Sequence, residues 1–261
     1  MKEQLNIIKV GGPVVEDEDS LQSLLMSFSS LRGLKILVHG GGKIATALAE
    51  KLGVETRMID GRRITSAEML KVVTMVYGGL VNKDVVARLQ ALGVNAIGLT
   101  GADMNIIMSV KRPVELVNFG FVGDIKYVNV QALKSLLDAG AVPVLAPLTH
   151  DKEGNMLNTN ADTIASAAAQ ALTPLYDVTL TFTSSMPGVL SDVNDPDSVI
   201  PTIAKADFES LVSSGTVSAG MIPKLQNAFN AIDAGVRRVV ITSASQLGSG
   251  TTIQADPETD D

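Results

Sequence analysis

The sequence predicts an α/β protein, a three-layer sandwich in which helices cover both faces of a mainly parallel open sheet. Short apolar runs of strand length alternate with segments of helical spacing almost from end to end. Most of the strand-like runs are dominated by apolar residues, as expected for strands buried on both faces. Glycine-rich turns follow the first two of these runs, where a parallel sheet presents its carboxyl ends to ligands. With 261 residues, 46% of them hydrophobic and 19% charged, the chain can bury a sizeable core and is too apolar to be disordered.

Taken in order, residues 5–10 and 35–38 read as the first two strands. Ile44, Ala47, Leu48 and Leu52 follow at helical spacing. Residues 95–99 form the next strand. Short alternating runs around Gly101, Gly120 and Gly123 then predict β-hairpins projecting from the sheet over residues 100–130. Leu133, Leu136 and Leu137 mark a helix, and residues 141–145 a strand. Ala161, Ile164, Ala165, Ala168 and Leu172 mark the buried face of a longer helix. A boundary falls near residues 173–176, giving two lobes, residues 1–175 and 176–255, with an acidic tail at 256–261. In the second lobe, residues 177–183 and 238–242 read as strands. The stretch 184–203, with Pro187, Gly188, Asp195, Pro196 and Pro201, is turn-rich.

Composition narrows the function. A formal charge of −7, part of it in the acidic tail, argues against nucleic acid or an anionic membrane as partner. No Trp and few Tyr and Phe argue against a base-stacking platform. The absence of cysteine excludes disulfides, thiolate nucleophiles and Cys-based zinc sites. The N-terminus does not read as a signal peptide, and no apolar run reaches transmembrane length. A soluble, cytoplasmic protein is expected. The two histidines, His39 and His150, supply neither a catalytic triad nor a metal site, and no protein-held metal is expected. His39 suits a packed, hydrogen-bonded role as well as a functional one.

Five segments can carry chemistry. Lys9-Val10-Gly11-Gly12 and His39-Gly40-Gly41-Gly42 each end a strand, and the second also opens a helix. Glycines there let backbone N–H groups approach an anion, helped by the helix dipole. Either loop alone could merely close the fold. The spacing is neither the dinucleotide fingerprint nor a P-loop. In Asn158-Thr159-Asn160-Ala161-Asp162, Asn160 suits an N-cap, and Asp162 suits either the helix dipole or the task of holding a lysine. Ser218 to Lys224, with Gly220, Met221 and Pro223, is a loop entering a helix near Pro223. Gly61-Arg62-Arg63-Ile64-Thr65 offers arginine forks suited to a carboxylate.

As a set, Lys9-Val-Gly-Gly, His39-Gly-Gly-Gly, Gly61-Arg-Arg-Ile-Thr, Asn158-Thr-Asn-Ala-Asp162, Gly220-Met-Ile-Pro-Lys224 and Gly250-Thr-Thr-Ile253 resemble the amino acid kinase family, in its order and over nearly the whole chain. The branch most similar phosphorylates the side-chain carboxylate of an N-acylated glutamate in arginine biosynthesis, with acetyl as the acyl group implied first. The resemblance implies ATP with Mg2+ as co-substrate and a homodimer through the N-terminal part. It implies that Lys9 and Lys224 hold the transferring phosphoryl group and that Asp162 orients both. Gly11, Gly12 and the Gly40–Gly42 loop would cradle oxygens. Arg63 and Asn158, with Gly41 and Gly42, would bind the acylated amino acid, Arg63 at its α-carboxylate. Ser185, Gly188, Gly220, Met221 and Lys224 would lie on the nucleotide side. The first strand near Leu5 leaves no room for the extra N-terminal helix that accompanies arginine feedback in the family, so such feedback is not expected. One position departs from the pattern: Ser185 stands where the family usually carries Asp, which bears on nucleotide binding. An N-acylaminoadipate kinase, or a catalytically weak ligand-binding sensor of the same fold, are the alternatives.

Overall fold

The computed structural model describes residues 2–59, 61–217 and 221–256, with the side chain of Pro223 excepted. Its centre is an eight-stranded sheet. From edge to edge the strands are Thr202–Ala204, Thr251–Gln254, Arg238–Ser243, Tyr176–Ser184, Glu3–Val10, Leu34–His39, Val142–Leu145 and Ala96–Leu99. Every neighbouring pair is parallel except Arg238–Ser243 with Thr251–Gln254. All six predicted strands are present. The strands Thr202–Ala204 and Thr251–Gln254, the outer pair at one end of the sheet, were not predicted, being too short to show a periodicity.

Helices cover both faces, as the sandwich requires. Leu5 and Ile7 of the first strand face one apolar cluster, shared with the helices Val130–Asp138, Ala161–Leu172 and Ile222–Asp233. Ile8 and Val10 face the other, shared with Glu18–Ser30, Gly42–Lys51 and the long helical run from Ala67 to Ala91. That run is π-helical over Thr74–Val81. The period-2 alternation of a strand therefore assigns side chains to faces. Lys9 shares the face of Ile7, and His39 shares the face of Leu37 in the second cluster.

The helix Gly42–Lys51 is turned from the expected orientation. Ala45 and Ala49 are buried, Ile44 and Leu48 only partly so, and Leu52 is exposed. Small residues on the inner face let this helix approach its neighbours closely, and the larger side chains flank the contact. The expected hairpins are present: Ile107–Lys111 pairs antiparallel with Gly123–Val128 in a four-stranded sheet completed by Leu148–His150 and Met156–Asn158. A two-stranded hairpin, Arg57–Ile59 with Arg62–Ile64, precedes them.

The helix Ala161–Leu172 ends where the lobe boundary was placed, and the strand Tyr176–Ser184 after it lies at the middle of the sheet. Between Ser184 and Thr202 the chain is turns and bends, with one bridge between Leu190 and Val199. Of the acidic tail, Asp256 accepts a hydrogen bond from the Ala206 N–H at 2.7 Å, and residues 257–261 lie outside the described residues. Among the described residues no helix is long and apolar enough to cross a membrane.

Candidate functional site

The chemistry-bearing segments converge at the carboxyl edge of the central strands. Lys9 is the one charged side chain in the inner half of its strand, and its register points it at the first turn of Ala161–Leu172. There its Nζ meets Asp162 Oδ1 at 2.8 Å, with the two side chains 15% and 34% exposed. Asp162 is free to face Lys9 because the helix start is capped by another residue. Asn160 Oδ1 accepts hydrogen bonds from the N–H groups of Asp162 and Thr163 at 2.8 and 3.1 Å. Both readings of this motif thus hold together: Asn160 is the cap and Asp162 holds a lysine.

Lys224 lies in the first turn of Ile222–Asp233, a helix with proline at its start, on the same face of the sheet. Burial lowers its pKa from the ordinary lysine value. The nearby charge of Lys9 acts in the same direction, and Asp162 opposes both. Two cations and one carboxylate therefore share a field, an arrangement suited to receiving additional negative charge. Met221 is partly buried and packs against the apolar cluster beneath that helix. Gly220 lies outside the described residues.

The two glycine loops meet each other. A Cβ on Gly40 would sit 3.2 Å from the Gly12 nitrogen, so a side chain there would push the loops apart. The N–H groups of Gly11 and Gly40 are engaged inside the fold, with Thr183 Oγ1 at 3.1 Å and the Val10 carbonyl at 3.0 Å. Those of Gly12, Gly41 and Gly42 form no hydrogen bond among the described residues, so they are the amides available to an anion. Gly41 has φ 141°, a value L side chains rarely adopt, and its Cα faces Tyr77 and Val81 of the π-helical segment.

A cavity of about 1080 Å³ opens beside these loops, lined among others by Gly12, Gly40, Gly42, Arg63, Tyr77 and Asn158. Arg63 is buried, on the strand Arg62–Ile64. Its Nη2 donates to the Gly42 carbonyl at 2.8 Å and to Thr46 Oγ1 at 2.9 Å, which fixes the guanidinium plane. Asn158 Nδ2 donates to Thr65 Oγ1 at 2.9 Å, and Thr65 in turn donates to the Arg63 carbonyl at 3.2 Å. The arginine and the asparagine, distant in sequence, are thus tied into one wall.

Ser185 is exposed at the carboxyl end of the strand Tyr176–Ser184, on the same edge as Lys9. Ser184 makes the turn there, its Oγ accepting from the Met186 N–H and donating to the Met186 carbonyl. Gly188 is buried, and a Cβ on it would lie 2.7 Å from Thr251 Oγ1, so close packing against the last strand accounts for that glycine.

His39 is fully buried and hydrogen-bonded, with Nδ1 2.8 Å from the Gly40 carbonyl oxygen and Nε2 3.1 Å from Asn82 Nδ2. Burial lowers its pKa to about 4, so it is neutral at ordinary pH. Asn82 was not singled out from the sequence. The only trace of it there is a polar residue at a buried position in a helical run, which periodicity cannot weigh. Among the described residues no group of three His, Asp or Glu side chains converges. The carboxyl edge instead offers ammonium and amide donors, which suit a magnesium ion carried on a nucleotide's own phosphates rather than in a protein cage.

An α/β sheet whose carboxyl edge gathers paired lysines, free glycine amides and an adjoining cavity with a fixed arginine defines a protein that handles phosphorylated or carboxylated small molecules. Residues 4–243 match the amino acid kinase family, and the chain belongs to it. It is 62% identical over 256 residues to the acetylglutamate kinase of Phocaeicola vulgatus, a match covering 97% of this chain and all of that one. The acetylglutamate kinase of Methanopyrus kandleri is 43% identical over 96% of this chain and all of that one. Among solved structures, smu.665 from Streptococcus mutans superposes with a TM-score of 0.77 at 30% identity, covering 97% of this chain and 99% of that one. The carbamate kinase of Giardia lamblia bound to AMP-PNP shares the fold, with a TM-score of 0.66 at 16% identity over 98% and 99% of the two chains.

Proposed function

We propose that this chain phosphorylates the side-chain carboxylate of an N-acyl-L-glutamate, N-acetylglutamate first, using ATP. The observation that carries the reading is the Lys9–Asp162 ion pair at 2.8 Å with Lys224 in the same field, beside a cavity walled by Arg63 and Asn158. The relatives named acetylglutamate kinase, matched over nearly their full length, support it.

The chemistry needs little more than these groups. A carboxylate with a pKa near 4 is already ionised at neutral pH, so no general base is required. One of its oxygens attacks the γ-phosphorus, the bond to the β-bridging oxygen breaks, and ADP leaves with an acyl phosphate formed. Lys9 and Lys224 neutralise the charge on the transferring group from the first-cluster face of the sheet, and Asp162 sets their positions. The N–H groups of Gly12, Gly41 and Gly42 donate to the oxygens from the loops. Magnesium carried by the nucleotide adds charge compensation at the phosphates. Arg63 grips the α-carboxylate with the donors that Gly42 and Thr46 leave unoccupied, and Asn158 contacts the acylated amine. Residues 1–175 hold the amino acid. Residues 176–255, with Ser185, Met221 and Lys224 at the shared edge, hold the nucleotide.

A homodimer through the N-terminal half and a cytoplasmic location complete the reading. Met75 and Leu80, 51% and 62% exposed on the helical run of that half, give it an apolar outer surface. The test is ADP release by the purified chain with a panel of N-acylglutamates and N-acetylaminoadipate. Turnover restricted to the glutamate series supports the proposal. Turnover only with the longer chain, or none with any acceptor, contradicts it.

A further inference from the structure

The second face of the sheet carries a polar chain that starts at the exposed Lys83, runs through the buried Asn82 and His39, and ends on the glycine loop. Lys83 Nζ donates to Asn82 Oδ1 at 3.0 Å and to the Gly98 carbonyl at 2.9 Å. An ammonium group can only donate, so it fixes which end of the Asn82 carboxamide is oxygen. The amide nitrogen then points at the Val144 carbonyl, 3.0 Å away, and at His39 Nε2, 3.1 Å away. A donor aimed at Nε2 requires that nitrogen to be the acceptor. The imidazole proton is left on Nδ1, where it reaches the Gly40 carbonyl at 2.8 Å. Gly98 is part of the same device. A Cβ there would lie 1.9 Å from Asn82 Oδ1, so a glycine inside the strand Ala96–Leu99 makes room for the carboxamide head.

We infer that Lys83, Asn82 and His39 form a positioning relay that sets the orientation of the Gly40–Gly41 peptide and thereby aims the Gly41 N–H at the reacting oxygens. The carbonyl and N–H of a trans peptide point in opposite directions. Pinning the Gly40 carbonyl to the buried imidazole turns the Gly41 N–H to the other side, where Gly40 and Gly42 line the cavity. That N–H has no other partner among the described residues. Without the relay the imidazole proton is free to move to Nε2, which leaves the Gly40 carbonyl without its donor. The loop's other bonds, from the Gly40 N–H to Val10, from the Ala45 N–H to the Gly41 carbonyl and from Arg63 to the Gly42 carbonyl, do not engage it. A donor displaced by about 1 Å from a reacting oxygen can lower turnover about 100-fold. His39, Asn82 and Lys83 touch no substrate in this account. They are positioning residues, and the inference rests on the kinase reading for the identity of the oxygens.

The test uses the full chain with two variants, Asn82→Leu, which removes the donor to Nε2, and Gly98→Ala, whose Cβ crowds the carboxamide and the Lys83 ammonium while every relay side chain and the loop sequence stay in place. Nitrogen-resolved NMR reads the His39 tautomer, and steady-state kinetics with N-acetylglutamate separate kcat from KM for ATP. The expected result is a single Nδ1–H tautomer in the parent protein and a mixture in both variants, with kcat lowered about 10- to 100-fold and the KM for ATP unchanged. An Nε2–H tautomer or an imidazolium in the parent at neutral pH overturns the relay, as does a variant with an altered tautomer and unaltered kcat. If the parent shows no turnover with any acceptor, the kinase reading has failed, and the relay is read instead from the Gly41 amide resonance on titration with inorganic phosphate. A response in the parent that is lost in Gly98→Ala supports the relay. Equal responses overturn it.

Discussion

Replacing Asp162 by Asn removes the carboxylate that faces Lys9 and Lys224 while keeping the shape of the side chain. The helix start should survive, because Asn160 Oδ1 holds the first two amides by itself. The Lys9–Asp162 pair is partly buried, at 15% and 34% exposure. Its loss therefore falls between an exposed pair, about 0–1 kcal/mol, and the roughly 3–5 kcal/mol of breaking a buried one. Taking about 1–3 kcal/mol as the loss of lysine positioning gives about a 5- to 150-fold fall in kcat/KM for ATP. A second effect has a definite sign. Burial and Lys9 already lower the Lys224 pKa, and Asp162 is the group opposing them. With the carboxylate gone, Lys224 loses its proton at lower pH, so the alkaline limb of the kcat/KM profile for ATP should move to lower pH. A coupled ADP assay across about pH 6 to pH 10, the range spanning the lysine limb, measures both effects on one protein. An alkaline limb that stays in place, or moves upward, would show that Asp162 and Lys224 do not share a field.

Lys9→Met and Lys224→Met should each lower kcat about 10²- to 10³-fold, the cost of one positioned electrostatic donor, with little change in thermal midpoint. Unchanged kcat in Lys9→Met would remove that lysine from the chemistry. Ser185→Asp should lower the KM for ATP and leave the KM for the acyl substrate alone, since Ser185 is exposed at the carboxyl edge, in the lobe proposed to hold the nucleotide, and charge-assisted hydrogen bonds are about twice as strong as neutral ones. Movement of both constants together would place that turn elsewhere. The folded state should lose stability in acid. His39 titrates at about 4 when folded against an ordinary 6.5, so the unfolded chain binds the extra proton first. Stability then falls as pH drops from 6.5 toward 4, by about 3 kcal/mol at most. Denaturant midpoints of the parent and of His39→Phe across that range check it, and equal pH slopes would contradict it.

The central strands were legible because burial on both faces makes them largely apolar, and Lys9 was conspicuous as a charge near the end of one. The outer pair at one end of the sheet was not, since three or four residues at Thr202–Ala204 and Thr251–Gln254 carry no readable period. The inner face of Gly42–Lys51 was misjudged because hydrophobicity favoured Ile44 and Leu48, whereas close helix packing selected Ala45 and Ala49. Of the candidate site, the lysines, glycine loops, Arg63, Asn158 and Asp162 stood out by residue type and order along the chain. The His39–Asn82–Lys83 chain did not. It depends on which side chains a sheet and a helix bring together across the second face, and on a glycine whose reason is the volume of a carboxamide. No spacing along the sequence reports either.

The most direct test of the proposed chemistry is to trap its product. The purified chain is incubated with ATP, magnesium, N-acetylglutamate and hydroxylamine, which converts an acyl phosphate to a hydroxamate. Hydroxamate should form in step with ADP, depend on the acylated amino acid and be lost in Lys9→Met. ADP release without hydroxamate, or hydroxamate formation that survives the loss of Lys9, would contradict the proposed chemistry.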